Sequence, residues 1–202
     1  MRFFELVPDP GTLTVDLGTG EGRFGRDLVT RGHRVVAFDA SPTMVRAVRG
    51  HTDPLPVALA DAAALPLADA AADLVVAFMC LHDLDDLGGV ITEAGRVLEP
   101  GGRLCAAIVH PLNSAGTFEQ DGGGAFVIDG SYFEPRRYCD EVHQHGLAMA
   151  FNGEHRPLQH YVDAFAAAGF VIEALTEVGN DDPASRWSRI PLFCHLRARR
   201  ER

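Results

Sequence analysis

The sequence predicts an α/β protein built on an open, mostly parallel sheet with helices on both faces. Three observations carry that prediction. Short apolar runs alternate with amphipathic stretches along most of the 202 residues. Three glycines, Gly18, Gly20 and Gly22, stand directly behind the first apolar run, in "VDLGTGEGR". Carboxylates recur at the same place in successive runs, with Asp16 inside the first, Asp39 closing the second and Asp61 closing the third. Strands alternating with helices at this spacing imply right-handed βαβ units.

The elements follow in order. "TLTVDL" reads as a buried strand and "GRFGRDLVTRG" as the helix after it. "RVVAFD" is a second strand. "SPTMVRAVRG" is a helix whose start is marked twice, because Ser41 caps and Pro42 suits the first turn. "LPVALAD" and "ADLVVAFMC" are the third and fourth strands, "LGGVITEAGRVLEP" a helix and "GGRLCAAIVH" the fifth strand. The chain closes on the helix "LQHYVDAFAAAG" and two strand-like runs, "FVIEALTEV" and "IPLFCHLRAR". Residues 111–156 break the rhythm between the fifth strand and the last helix. A connection of that length is usually functional. It reads as an insertion within a single domain of residues 1–202, either a substrate lid hinged at Gly122–Gly124 or a hairpin along the sheet edge.

Composition excludes several classes. A formal net charge of −10 argues against a nucleic-acid-binding surface. No apolar run approaches the ~20 residues of a membrane helix. The N-terminus lacks a signal peptide's apolar core, so a cytoplasmic protein is expected. Cys80, Cys105, Cys139 and Cys194 form no C-x-x-C pair. His143 and His145 would share a strand face, but with no third ligand beside them no metal site is expected. Every basic residue is arginine, which excludes the Tyr-x-x-x-Lys pair of short-chain nicotinamide reductases.

In such sheets ligands bind beyond the carboxyl ends of the strands. Gly18 and Gly20 there allow a tight turn and a close backbone approach. The letters Gly20, Gly22 and Gly25 spell G-x-G-x-x-G, but that register begins too far past the strand for a dinucleotide, and from Gly18 the last glycine is Arg23. Asp16 would repel a pyrophosphate and welcome an ammonium group. Asp39 is placed to accept from ribose hydroxyls, and Asp61 from an adenine amino group.

On these residues the chain resembles the class I S-adenosylmethionine-dependent methyltransferases. "VDLGTGEGR" looks like their first motif, "VVAFDAS" their second-strand motif, and "RVLEPGGRL" the lead into the fifth strand. The run "ADAAALPLADAAADLVVAFMCLHDL" looks like their path from adenine site through fourth strand, and "HRPLQHYVDAFAAAGF" like a helix of a small-molecule branch. The resemblance implies a Rossmann-like sheet of seven strands, the last antiparallel. It also implies S-adenosylmethionine as methyl donor, S-adenosylhomocysteine as product and a small molecule as acceptor. By it Asp16 would bind the donor's amine, and Gly18, Thr19, Gly20 and Gly22 its methionine part. Asp39 would hold the ribose, with Ala40 and Met44 beside the adenine and Asp61 and Ala62 at its edge. Phe78 and Met79 would border the methyl group. The "FMCLHDL" that ends the fourth strand lacks the Asn/Asp-Pro-Pro-Tyr signature of adenine and glutamine methylators. Family members usually carry one or two helices before the first strand. Here about a dozen residues precede it, so the site is expected to be open, or closed by residues 111–156 or by a partner chain in a homodimer.

A sulfonium donor is already activated, so the protein must chiefly orient the reactants and exclude water. A general base is needed only for an acceptor such as a neutral hydroxyl. His110, at the end of the fifth strand, and His155, before the last helix, are the candidate bases. His82, Tyr132 and Phe133 are candidates to face the acceptor. His82 and His155 read first as locally hydrogen-bonded or capping loop residues, whereas His110 reads equally either way. The acidic run Asp83 to Asp86 reads as helix-start carboxylates. His33, His51 and His195 read as surface or strand-edge residues.

Overall fold

The computed structural model describes residues 2–119, 124–144 and 147–201, with the backbone alone for Arg2, 140–144 and 147–152. Its main sheet has seven strands in the order β10-β11-β5-β4-β1-β2-β3. These are β1 (Thr14–Leu17), β2 (Val35–Asp39), β3 (Val57–Leu59), β4 (Ala72–Phe78), β5 (Leu98–Val109), β10 (Phe170–Val178) and β11 (Phe193–Arg200). β11 runs antiparallel to both β5 and β10, and the pairs β4–β5, β4–β1, β1–β2 and β2–β3 are parallel.

The helices are α1 (Arg23–Thr30), α2 (Pro42–Arg49), α3 (Leu87–Val97), α4 (Pro111–Ser114) and α5 (Leu158–Ala167). Ser41 caps α2 as its sequence predicts, its Oγ accepting from the Met44 N–H at 3.4 Å. The central strands are buried on both sides, and alternate residues serve opposite faces. Val75, Ala77, Leu104, Ala106 and Ile108 pack under α3 and α5 with Ile91, Ala94, Tyr161 and Phe165. Leu74, Val76, Cys105 and Ala107 pack on the other side against Phe3, Phe24 and Leu28. Phe3 comes from a short 3-10 turn, Arg2–Glu5, and is fully buried. Its ring meets Phe24, Phe78 and His195 edge-on at 5.1–5.3 Å. The few residues ahead of β1 therefore supply a plug for one face of the sheet.

Two histidines expected at the surface are buried instead. His33 Nδ1 lies 3.0 Å from Thr14 Oγ1, and His195 packs on Phe3.

The segment after β5 folds into two small antiparallel ribbons outside the main sheet. One pairs β6 (Gly116–Phe118) with β7 (Phe126–Ile128), and the other pairs β8 (Arg136–Gln144) with β9 (Leu147–His155). Gly122 and Gly123 of the expected hinge lie outside the described residues, as does His145.

Candidate donor and acceptor site

Beyond the carboxyl ends of the strands lies a cavity of about 970 Å³. The sheet order arranges its lining. Asp39, Ala40, Met44, Asp61 and Ala62 stand at the β2–β3 end, and Gly18, Gly20 and Met79 in the middle. His82, Asp83, Leu84, Val109, Tyr138 and Phe193 stand toward β5 and β11. A second cavity, about 200 Å³, opens on the other side of the glycine loop and is lined by Asp16, Gly18, Thr19, Arg23, Phe24 and Phe78 among others. Gly18 borders both.

The loop is held from its acidic ends. The Gly20 N–H donates to Asp39 Oδ2 and the Ser41 N–H to Asp39 Oδ1, both at 2.8 Å. Each Asp39 oxygen is thereby fixed in direction and keeps accepting capacity on the cavity side. Thr19 Oγ1 donates to Asp16 Oδ2 at 2.5 Å, and the Gly25 N–H also supports that carboxylate. Asp16 is buried, and loss of water pushes its carboxyl up to about 6 against those hydrogen bonds. Asp61 Oδ1 accepts from the Ala63 N–H at 2.9 Å, closing a local turn beside the cavity.

The glycines divide by what a side chain would meet. Gly18, Gly20 and Gly22 all have φ between +57° and +77°. A Cβ on Gly18 would fall 2.7 Å from Cys80 Cβ, whereas one on Gly20 would meet nothing within 4 Å. Gly18 is bare for packing, and Gly20 faces open space. Replacing Gly18 by alanine is thus expected to cost about 2–4 kcal/mol of stability, combining backbone strain with overpacking. Gly20→Ala should cost only the backbone share, about 1–2 kcal/mol, while weakening ligand binding more strongly. Denaturant melts and calorimetry on both variants separate the two effects, and equal losses in both measurements would refute the division.

At the end of β4, Met79 holds φ +59°, an unusual setting for a residue with a side chain. The turn it makes brings the Cys80 thiol onto the Leu17 carbonyl at 3.1 Å and swings the next residues along the cavity wall. His82 follows there, buried, with Nδ1 lacking a hydrogen-bond partner. Burial, with the Arg156 guanidinium nearby, pulls its imidazole down to about 4, so it is neutral at pH 7. Its Nε2 lies 3.6 Å from Asp83 Oδ1, beyond hydrogen-bond reach. Partial burial raises the Asp83 carboxyl to about 6.

Several expected site residues lie elsewhere. His110 does not line either cavity. Its Nδ1 accepts from the Leu112 N–H at 3.0 Å, capping α4, and Nε2 sits 3.0 Å from Glu177 Oε1 without hydrogen-bond alignment. His155 is fully buried between two partners, Ser114 Oγ at 2.8 Å from Nδ1 and the Tyr132 carbonyl at 2.9 Å from Nε2. With the proton on Nε2, both nitrogens are occupied, so His155 ties α4 to the chain before β8 and is not available as a base. His155→Ala is expected to lower stability by about 2–4 kcal/mol, since a buried ring is lost and the half-buried Ser114 hydroxyl and Tyr132 carbonyl lose a partner. A denaturation midpoint unchanged from the parent would overturn that role.

Tyr132 accepts from the Leu158 N–H through its hydroxyl and packs edge-on against His155. Phe133 is 76% exposed. Neither lines the cavity. Among the described residues, the insertion's aromatic that does so is Tyr138, at the foot of β8. Gly153 stands opposite it in β9, where a Cβ would fall 2.6 Å from the Tyr138 hydroxyl. A glycine inside a strand signals such a close approach, and "FNGEH" carries it in plain sight. Gly22 lines neither cavity. It precedes α1, and a Cβ there would press on Arg26, Val48 and Leu55. Phe78 and Met79 part company, with Phe78 stacked on Phe24 in the smaller cavity and Met79 in the larger. Of the acidic run after His82, Asp86 caps α3 through the Gly89 N–H at 2.8 Å, but Asp83 belongs to the cavity wall.

A family model described as a methyltransferase domain matches residues 15–106, which span β1 to β5. The malonyl-[acyl-carrier protein] O-methyltransferase of Hahella chejuensis is 32% identical over 146 residues, covering 70% of this chain and 51% of that protein. The enzyme of the same name from Methylococcus capsulatus is 38% identical over 104 residues, 49% of this chain and 38% of its own length. The crystal structure of an S-adenosylmethionine-dependent methyltransferase from Mesorhizobium loti superposes with a TM-score of 0.80 at 23% identity, covering 98% of this chain and 96% of that one. Residues 15–106 thus carry the methyltransferase-domain match, and the fold is the one shared by S-adenosylmethionine-dependent methyltransferases. The chain spans about half or less of the length of these curated relatives, so their substrates are not carried over with their fold. No described helix is long and apolar enough to cross a membrane.

Proposed function

We propose that this protein transfers the methyl group of S-adenosylmethionine to a small molecule. The observation that carries the reading is Asp39, its two oxygens pinned by the Gly20 and Ser41 N–H groups at the floor of a cavity large enough for a nucleoside and a second molecule. The open space beside Gly20 suits a ligand that approaches the backbone closely. Asp39 would hold the ribose hydroxyls, Met44 and Ala62 would flank the adenine, and Asp61 would accept from its amino group. The donor's amino-acid end would pass Gly18 into the smaller cavity, where Asp16 and Thr19 meet an ammonium group. When bound, the donor supplies an activated methyl group on sulfur. The chain's own residues orient the two reactants, and the apolar wall of Leu84, Val109 and Phe193 keeps water from the reacting end.

Tyr138 supports the view that the β8–β9 ribbon closes the acceptor side. Calorimetry should detect S-adenosylhomocysteine binding and none of NADH, and labelled methyl groups should pass from S-adenosylmethionine to a metabolite panel. Tight NADH binding with none of the adenosyl ligand would sink the reading. Adenosyl binding without transfer to any acceptor would point to a non-catalytic binder.

A further inference from the structure

We propose that the acceptor is a small-molecule amine, drawn as its cation to Asp83 at the β4–β5–β11 end of the cavity. The inference rests on the donor reading above, which assigns the β2–β3 end to the adenosine and leaves this end for the acceptor. The charge at the acceptor end carries it. Asp83 is the one ionisable carboxylate there among the described lining residues, and no arginine lines any part of the cavity. The chain has no lysine, and the internal stretches 120–123 and 140–152 contain neither basic residue.

The arginines around this end are engaged outside the cavity lining. Arg156, behind His82, is held outside the lining by its Nη2, which donates to the Leu84 carbonyl and to Glu154 Oε2, both at 2.5 Å, while its Nη1 is buried without a partner. Arg137 pairs with Asp85 at 2.6 Å, and Arg136 reaches the Ser131 and Ala115 carbonyls. Among the described lining residues, an acceptor carboxylate or phosphate would find no arginine and would face Asp83.

His82 supplies a second, independent sign. Its ring is buried in the same wall with Nδ1 unpartnered, and a buried polar atom without a partner is costly unless a ligand completes it. Being neutral, the imidazole adds no positive charge to the wall. Tyr138 and Phe193 complete the surround with aromatic surface, which favours a cation and an apolar body together.

The chemistry balances with these groups alone. The ammonium R–NH3+ gives one proton to the Asp83 carboxylate. The freed nitrogen lone pair forms the new N–C bond as the C–S bond breaks and its electron pair stays on sulfur. The product leaves as R–NH2+–CH3. The Asp83 side chain, 48% exposed, then returns the proton to water.

Matched probes test this on the S-adenosylhomocysteine-saturated protein. 2-Phenylethylamine is compared with 3-phenylpropanoate, and tryptamine with indole-3-propanoate, by calorimetry. The expected result is that each amine binds at least tenfold tighter than its carboxylate, and that Asp83→Asn abolishes the preference while leaving S-adenosylhomocysteine affinity unchanged. Carboxylates binding as well as the amines, amines not binding, or a preference that survives Asp83→Asn would each overturn the proposal. Loss of S-adenosylhomocysteine binding in the parent protein would instead bring down the donor reading beneath it.

Discussion

Replacing Asp39 by alanine is expected to weaken S-adenosylhomocysteine binding by about 3 kcal/mol, on the order of 150-fold in Kd. Two losses combine. The carboxylate would no longer accept from the ribose hydroxyls, and hydrogen bonds to a charged group are worth about 1.5–3 kcal/mol each. The Gly20 and Ser41 N–H groups would lose the acceptor that fixes the glycine loop against the start of α2. Asp39→Asn separates these. Its side-chain oxygen can still accept from one N–H, but its amide nitrogen faces the other donor, so it should recover only part of the affinity. Calorimetric titration of both variants, with circular dichroism to verify folding, gives the answer. An alanine variant that binds as tightly as the parent would remove Asp39 from the site.

The parts of the site that the sequence made legible share one property: they belong to the frame of the sheet. Asp39 and Asp61 are found by their position at strand ends, and Gly18 and Gly20 by theirs behind the first strand. Short continuous apolar runs such as "LVVAF", alternating with amphipathic stretches, identify strands whose ends must converge. The same logic fails where position along the chain no longer fixes position in space. His110 stands at the end of β5, as expected of a catalytic group, yet the turn into α4 points its ring at Glu177. His155 and Tyr132 lie in the insertion, where local spacing says nothing of which partner each will meet. Tyr138 and Phe193, 55 residues apart in the chain, reach the cavity from separate elements. The one local signal for Tyr138 was Gly153, a strand glycine whose missing side chain makes room for the ring.

The plug formed by Phe3 illustrates a further limit. "MRFFELV" carries two adjacent aromatics and no helical period, and nothing in it announces burial. Only the exposed apolar surface of α1 and β4 calls for a cover. Phe3 answers it by packing edge-on among Phe24, Phe78 and His195, and Phe4 lies flat against Phe24 at 4.8 Å. Through Phe24 and Phe78 this short segment also shapes the smaller cavity, where the donor's amino-acid end is proposed to lie.

That cavity is where the largest pH effect is expected, because Asp16 is buried there and its carboxyl is raised to about 6. For a carboxyl raised on folding, the contribution to stability is greatest below its unfolded value of 3.8 and is lost as pH rises through about 6. The ligand-free protein at pH 7 thus holds an ionised group that burial disfavours. A ligand ammonium beside it would offset that cost and bind to the ionised form. Affinity for S-adenosylhomocysteine should then fall by about tenfold between pH 7 and pH 5, as one proton must be displaced for each ligand bound. Asp83 titrates in the same range, so the parent profile alone is ambiguous. Asp16→Asn should bind weakly at pH 7 and show a nearly flat profile, whereas Asp83→Asn should keep the full slope. The ligand-free stability of Asp16→Asn should likewise lack the parent's decline between pH 4 and 7. Should the Asp16→Asn variant retain the tenfold pH dependence of binding, the ammonium contact at Asp16 would be wrong and the slope would belong to another group.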